Sequence, residues 1–178
     1  MENTAKHKLH IYTGNGKGKT TAAMGQALRM LGHGKPVFIA QFMKDGTSGE
    51  LKSLKRFDLA TVFEGAQLQG FFGNLTPQQQ EEARQRHGEA LEAMTEAVSR
   101  LRPALTVLDE LCVALFMRLV RQEDALRLIK IALQHGDVVV TGRYAPDSLL
   151  EMADYVTRME AVKHPFDTGT PAREGIEW

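Results

Sequence analysis

The chain has 178 residues, of which 43% are hydrophobic and 25% are charged, and its 22 lysines and arginines balance its 22 aspartates and glutamates. This length and composition predict one globular domain with a full-sized core, spanning residues 1–178. The neutral total argues against a broadly basic nucleic-acid-binding protein, and the single cysteine, Cys112, excludes both an internal disulfide and a cysteine-based metal cluster.

The first part of the chain predicts a strand, a glycine-rich loop and a helix. Neither the first ten residues nor any later window is apolar enough for a secretory signal or a membrane span, so we expect a cytoplasmic protein. A strand over Leu9–Tyr12 leads into the loop, residues 13–21 (TGNGKGKTT), and a helix is predicted from Lys19 to about Leu31. The helix side chains predicted to face inward are Ala22, Ala23, Ala27, Leu28 and Leu31.

Strands and helices alternate along the rest of the chain. Strands are predicted over Pro36–Phe42, Ala60–Phe63, Leu105–Glu110, Asp137–Arg143 and Tyr155–Met159. Helices are predicted at Leu51–Leu54, from Thr76 to Leu101 with a capping box at its start, over Ala125–Leu133, and over Pro146–Met152. This alternation predicts an α/β fold with a mostly parallel sheet and helices on both faces.

The glycine-rich loop is typical of a triphosphate-binding site. Compared with the pattern G-x-x-x-x-G-K-[ST], it has Thr13 in place of the leading glycine, and the glycine follows one position later. Glycines let backbone amides approach phosphate oxygens, and the start of the following helix favours negative charge. The residues predicted to bind the phosphates are Gly14, Asn15, Gly16, Lys17, Gly18, Lys19, Thr20 and Thr21, although Lys17 alone could equally be a solvated loop lysine.

Acidic and basic residues at later strand ends are candidates for the same site. Because ligands of parallel sheets bind beyond the carboxyl ends of the strands, the loop, Asp109-Glu110 and Arg143 can meet at one edge. The Thr20 hydroxyl, Asp109 and Glu110 are the predicted ligands of Mg²⁺, directly or through water. Arg143 could contact phosphates through its planar guanidinium group, or it could make a structural ion pair.

These residues leave three uses of a nucleotide open. The protein could hydrolyse ATP as a RecA-like motor, with Glu110 orienting the attacking water. It could be a transferase, or it could be a regulatory module that binds a nucleotide without chemistry. We find neither a convincing arginine finger nor an extended basic face for a nucleic-acid track, which weakens the motor hypothesis.

A resemblance over nearly the whole chain favours a transferase. The stretches TGNGKGKTTAA, the apolar run into Gln41-Phe42, VLDEL, VVVTGR-x-AP and VKHPFDTGTPAREGIEW resemble, in this order, the ATP:corrinoid adenosyltransferases of the P-loop type. These enzymes serve cobalamin biosynthesis and corrinoid salvage.

The resemblance implies a RecA-like P-loop domain and a specific reaction. The Co(I) ion of a corrinoid, such as cob(I)yrinic acid a,c-diamide, attacks C5′ of ATP, and triphosphate leaves. The family uses Mg²⁺ or Mn²⁺, is usually a homodimer, and binds ATP in the reverse sense to other P-loop enzymes; an electron-donor protein is a possible partner. Lys19 and Arg143 then become catalytic and ATP-binding residues, and Thr13 becomes a candidate adaptation to the reversed pose.

The family also implies a role for aromatic side chains near the corrinoid. Relatives displace the lower cobalt ligand by packing aromatic side chains under the ring, in a G-F-x-W context. This chain has Gly70-Phe71-Phe72-Gly73, and its one tryptophan is Trp178. Phe71 and Phe72 are therefore catalytic candidates, with two core or loop phenylalanines as the alternative. The tail residues Lys163, His164 and Phe166 match the family ending, but we assign no role to them. Without the family, His164 before Pro165 is typical of a turn.

Overall fold

The computed structural model describes residues 7–43, 48–64, 68 and 72–176. Its sheet has six strands, all parallel, in the order β3-β2-β4-β5-β1-β6. The strands are β1 (Leu9–Thr13), β2 (Val37–Gln41), β3 (Ala60–Phe63), β4 (Leu105–Asp109), β5 (Asp137–Thr141) and β6 (Tyr155–Arg158). The predicted parallel α/β sheet is confirmed.

Six α-helices connect the strands in the described part of the chain. They are α1 (Lys19–Gly32), α2 (Gly49–Leu54), α3 (Pro77–Leu101), α4 (Leu111–Phe116), α5 (Gln122–Ala132) and α6 (Asp147–Met152). The capping box predicted for α3 is present: the Gln79 backbone N–H donates to Thr76 Oγ1 at 3.3 Å, and the Thr76 backbone N–H donates to Gln79 Oε1 at 2.9 Å. None of the helices in the described ranges is long and apolar enough to cross a membrane.

The sheet separates two hydrophobic layers, as helices on both faces require. Along β2, Val37 and Ile39 pack with α1 and α2, whereas Phe38 and Ala40 pack with the layer of α3, α4, α5 and α6. Successive strand residues point to opposite faces, so a strand buried on both sides is apolar throughout. Every residue of β2 and of β4 is buried, and their residues are apolar except for Gln41, Thr106 and Asp109.

The sequence prediction differs from the structure at several places. Helix α4 was not predicted, β4 ends at Asp109 rather than Glu110, and α5 begins at Gln122, three positions before Ala125. The inward orientation predicted for Leu28 is wrong, because 51% of its surface is exposed. The spacing of Ala23, Ala27 and Leu31 places those residues on the sheet, and Leu28 then lies on the flank of the helix.

Candidate active site

The glycine-rich loop joins the carboxyl end of β1 to the start of α1. Gly18 is the N-cap of α1 with φ of 111°, and no side chain caps the helix. The first turn carries no acidic residue, so its backbone N–H groups and the positive end of the helix dipole have no competing carboxylate within that turn. This helix start is therefore suited to an anion such as a phosphate chain.

The loop is also held against the end of β6, a contact that the sequence did not predict. The Gly16 N–H donates to the Met159 carbonyl at 2.7 Å, and the Met159 N–H donates to the Thr13 carbonyl at 2.8 Å. A Cβ atom at Gly14 would lie 2.3 Å from the Met159 carbonyl oxygen, and one at Gly16 would lie 2.7 Å from the backbone of Glu160. Glycine is thus required at both positions by packing within the protein, in addition to any approach of a ligand.

Lys19 lies at the centre of the site. Its side chain is buried, with 9% of the residue surface exposed, and its Nζ atom donates to the Gly16 carbonyl at 2.6 Å. Burial lowers the pKa of Lys19, and the positive charge of Arg143 lowers it further, whereas the carboxylates of Glu110 and Asp109 partly offset both effects. The ammonium group therefore occupies a partly desolvated position next to the loop carbonyl.

The two acids at the end of β4 have separate positions. Asp109 is fully buried; its Oδ1 accepts from the Thr141 hydroxyl at 2.7 Å, and its Oδ2 accepts from the Gln41 amide at 2.8 Å. Glu110 occupies the N-cap position of α4 with a left-handed backbone, φ of 61°, and donates its N–H to Thr141 Oγ1 at 2.9 Å. This turn directs Glu110 toward the cavity beside Lys19, while Asp109 stays behind it and supports β2 and β5.

Arg143 follows β5 and is exposed at the same edge. Its guanidinium carbon lies 5.7 Å from the centre of the Tyr144 ring, and that ring stacks on Phe116 with centroids 4.2 Å apart. The preceding Gly142 has φ of 132°, and a Cβ atom there would lie 2.9 Å from Cys112 Cβ. The β5 end therefore packs tightly against α4 and presents Arg143 outward.

One cavity of about 890 Å³ brings most of the predicted site residues together. The loop from Asn15 to Thr21, Glu110 and Arg143 line it, and so do residues of α1 and α2, both apolar, such as the exposed Leu28, and polar, such as Glu50. Gly14 and Asp109 do not line it. Gly14 borders a separate, smaller cavity of about 450 Å³, and Asn15 borders both cavities.

The two aromatic candidates, Phe71 and Phe72, have different outcomes. Phe71 lies outside the described residues, as do Gly70 and Trp178. Phe72 has 3% of its surface exposed, belongs to the core layer of α3, and lies under the Arg84 guanidinium at 5.5 Å. The structure therefore places Phe72 in the core and not at the cavity.

The C-terminal tail returns to the loop. His164, Gly175 and Ile176 line the large cavity, whereas Lys163 and Phe166 are exposed, Phe166 at 75%. No sequence signal other than the family ending pointed to these tail residues. Within the described residues, no group of three or more histidines, cysteines or carboxylates is arranged to hold a metal ion.

Comparisons with known proteins identify the family of this chain. A family model described as ATP:corrinoid adenosyltransferase BtuR/CobO/CobP matches residues 5–178. A corrinoid adenosyltransferase of Sinorhizobium sp is 34% identical over 97% of this chain and 81% of its own length. One from Pseudomonas aeruginosa is 36% identical over 96% of this chain and 83% of its own length, and corrinoid adenosyltransferase CobA of Salmonella typhimurium is 35% identical over 94% and 84%.

A solved structure supports the fold independently. The KaiC-like protein of Pyrococcus horikoshii superposes with a TM-score of 0.54 at 14% identity, covering 87% of this chain and 73% of its own. At this identity the likeness concerns the fold alone, and it agrees with a RecA-like P-loop arrangement.

Proposed function

This chain belongs to the ATP:corrinoid adenosyltransferase family, and on that premise we propose that the cavity beside Lys19 holds the triphosphate of ATP while the adenosyl group moves to cobalt. One observation carries the proposal: Lys19, Thr20, Glu110 and Arg143 line a single cavity at the uncapped start of α1.

The chemistry requires charge stabilisation and positioning. The electron pair of Co(I) forms the new bond to C5′, the C5′–O bond breaks, and its electrons leave with triphosphate. The nucleophile carries no proton, so no general base is needed. Negative charge develops on the leaving group, and Lys19, the loop amides and Arg143 would stabilise that charge. We propose that Gly14 contributes through loop shape, because it does not line this cavity.

The residues present fit a divalent cation shared with the nucleotide. Thr20 and Glu110 both line the cavity, and we propose that they hold Mg²⁺ or Mn²⁺. Asp109 would support the site indirectly, since both of its oxygens accept hydrogen bonds from Gln41 and Thr141. A bound cation supplies neutralisation of the phosphate charge. When phosphates complete its coordination shell, Mg²⁺ typically has only a few ligands from the protein.

The finer assignments rest on family membership. We propose cob(I)yrinic acid a,c-diamide as the corrinoid, a separate electron-donor protein that maintains Co(I), and a homodimer. A Co(I) substrate requires a reducing compartment, which supports the cytoplasm as the location. A comparison of kcat/KM for the a,c-diamide, cobinamide and cobalamin would test the first of these. A higher value for either of the other two corrinoids would contradict it.

A product assay tests the main proposal. With ATP, Mg²⁺ and chemically reduced corrinoid, we expect adenosylated corrinoid and triphosphate in equal amounts. Release of orthophosphate without corrinoid would instead indicate an ATP-hydrolysing motor, and ATP binding with neither product would indicate a regulatory module.

Substitution of Lys19 tests the role of the cavity. Lys19→Ala should reduce the rate by at least about 100-fold, since it removes a cation from the leaving group. Lys130→Ala, at an exposed position in the last turn of α5, is the matched control and should keep the full rate. Full activity of Lys19→Ala would remove this cavity from the mechanism.

A further inference from the structure

We propose that His164 binds the triphosphate chain of ATP by donating a hydrogen bond from its Nε2 atom, and that the turn over Pro165–Thr168 fixes the ring for this role. The inference rests on the proposed function, because it takes the cavity beside Lys19 to be the triphosphate site. His164 lines that cavity together with Arg143 and the glycine-rich loop, although it lies more than 140 positions after the loop in the chain.

The turn around His164 is well defined by its own hydrogen bonds. The Asp167 N–H donates to the His164 carbonyl at 3.1 Å, and the Thr168 hydroxyl and the Thr170 N–H donate to the Pro165 carbonyl at 2.8 and 3.1 Å. Proline at the first position restricts the backbone, and Gly169 ends the turn in a left-handed conformation. The orientation of the His164 backbone is therefore set locally.

The same turn fixes which nitrogen of the ring carries the proton. The Phe166 N–H donates to His164 Nδ1 at 3.1 Å. A backbone N–H can only donate, so Nδ1 must be the acceptor, and in the neutral ring the proton resides on Nε2. The turn thus converts His164 into a hydrogen-bond donor at the end of the ring farther from the backbone.

The surroundings indicate what this donor would bind. The cavity is lined by the cations Lys17, Lys19 and Arg143 and by the carboxylates Glu50 and Glu110. These cations line the same cavity as the loop amides, which suits a polyanion, and a further donor lining that cavity adds to the same binding mode. His164 is only partly buried, so its ring remains accessible to a ligand in the cavity. A triphosphate chain is the anion that the proposed reaction brings to this place.

Two substitutions separate the structural role of the ring from its donor role. In His164→Asn, the side-chain oxygen takes the position of Nδ1 and can still accept from the Phe166 N–H, but no group replaces Nε2. In His164→Gln, the amide N–H₂ reaches the region of Nε2, but the acceptor for Phe166 is lost. His33→Asn is the control, because it makes the same chemical change at an exposed position at the end of α1. This helix has 14 residues, so His33 lies about 20 Å from the loop.

Calorimetric titration of the full chain with inorganic triphosphate and with ATP, both with Mg²⁺, tests the proposal. We expect His164→Asn to raise the Kd of both ligands by the same factor, about tenfold or more, with an unchanged melting temperature. His164→Gln should bind both ligands more tightly than His164→Asn does, and His33→Asn should behave as the wild type.

Three results would overturn the assignment. Wild-type affinity of His164→Asn for triphosphate would remove the contact, and a loss confined to ATP would move it to the nucleoside. Weaker binding by His164→Gln than by His164→Asn would reduce His164 to a turn residue. If the wild type itself bound neither ligand, the triphosphate site and the proposed function would fail together, an outcome distinct from the others.

Discussion

At the scale of single residues, the glycines of the loop are constrained by the protein itself. Gly14→Ala forces a side chain into a backbone with φ of 99° and within 2.3 Å of the Met159 carbonyl oxygen. We expect the free energy of unfolding to fall by at least about 2 kcal/mol, because strain and displacement of β6 add together. Chemical denaturation without nucleotide would measure this change.

A glycine in open space is the control for that prediction. Gly88 lies in α3, and a Cβ atom there would meet nothing within 4 Å. Gly88→Ala should therefore raise the free energy of unfolding by about 1 kcal/mol, the ordinary gain for alanine in a helix. If Gly14→Ala were as stable as Gly88→Ala, the contact between the loop and β6 would not constrain the loop.

The neighbouring acids Asp109 and Glu110 should respond differently to loss of charge. Asp109→Asn replaces an oxygen that accepts from Thr141 or Gln41 with a donor, so we expect a loss of about 1–3 kcal/mol in stability. Glu110→Gln alters a cavity-lining side chain, and we expect nearly unchanged stability with a lower adenosylation rate. Thermal melting and rate measurements on both variants would check this, and the reverse pattern would exchange the two roles.

The single cysteine should be chemically inert in the folded protein. Burial raises the pKa of Cys112 to about 12, and the nearby Glu110 carboxylate acts in the same direction. Because the thiolate is the reactive form, alkylation at pH 8.5 should be slow for the native chain and fast after denaturation. Labelling at the same rate in both states would show that the packing of Cys112 against Gly142 opens readily.

At the scale of elements, the long periodic helix α3 could be predicted, whereas the short helix α4 could not. Helix α3 has a capping box and apolar residues at three- and four-residue spacing, so both its start and its buried face were predictable. Helix α4 has six residues and begins after a left-handed residue, Glu110, which no local pattern announced. Its conformation depends on tight packing against Gly142, a contact between segments far apart in the chain.

The tail is an element that should contribute to binding more than to folding. No residue of 162–176 belongs to either hydrophobic layer, and Val162 is 96% exposed. A chain that ends after Ala161 should therefore keep its melting temperature within a few degrees, while losing ATP affinity through the loss of His164 and Ile176 from the cavity. Calorimetry and ATP titration would test this, and unfolding of the shortened chain would contradict it.

At the scale of the whole molecule, the carboxyl ends of the parallel strands bring the residues of the site together. Topology made it predictable that the loop, Glu110 and Arg143 meet, because all three follow parallel strands. Topology did not reveal that Asp109 faces away from the cavity while the next residue, Glu110, faces it. A difference of one position along the chain decides the direction of the side chain. The position of His164 at the cavity could not be predicted from the sequence pattern either, because it depends on the path of a turn-rich tail rather than on periodicity.

The free edge of the sheet leads to a prediction about assembly. All of β6 is exposed at the end of the sheet, with Tyr155 at 54% and Val156 at 50%, and an uncovered edge strand of this kind invites pairing with another chain. For the homodimer that we propose, light scattering should give twice the 19.8 kDa of one chain. Val156→Lys should shift this equilibrium to the monomer, because it replaces an exposed apolar side chain of the edge strand with a charge. Leu101→Lys, at a 42% exposed position where α3 ends, should leave the dimer intact. A dimer unaffected by Val156→Lys would place the interface elsewhere, and a wild-type monomer would reject dimerisation altogether.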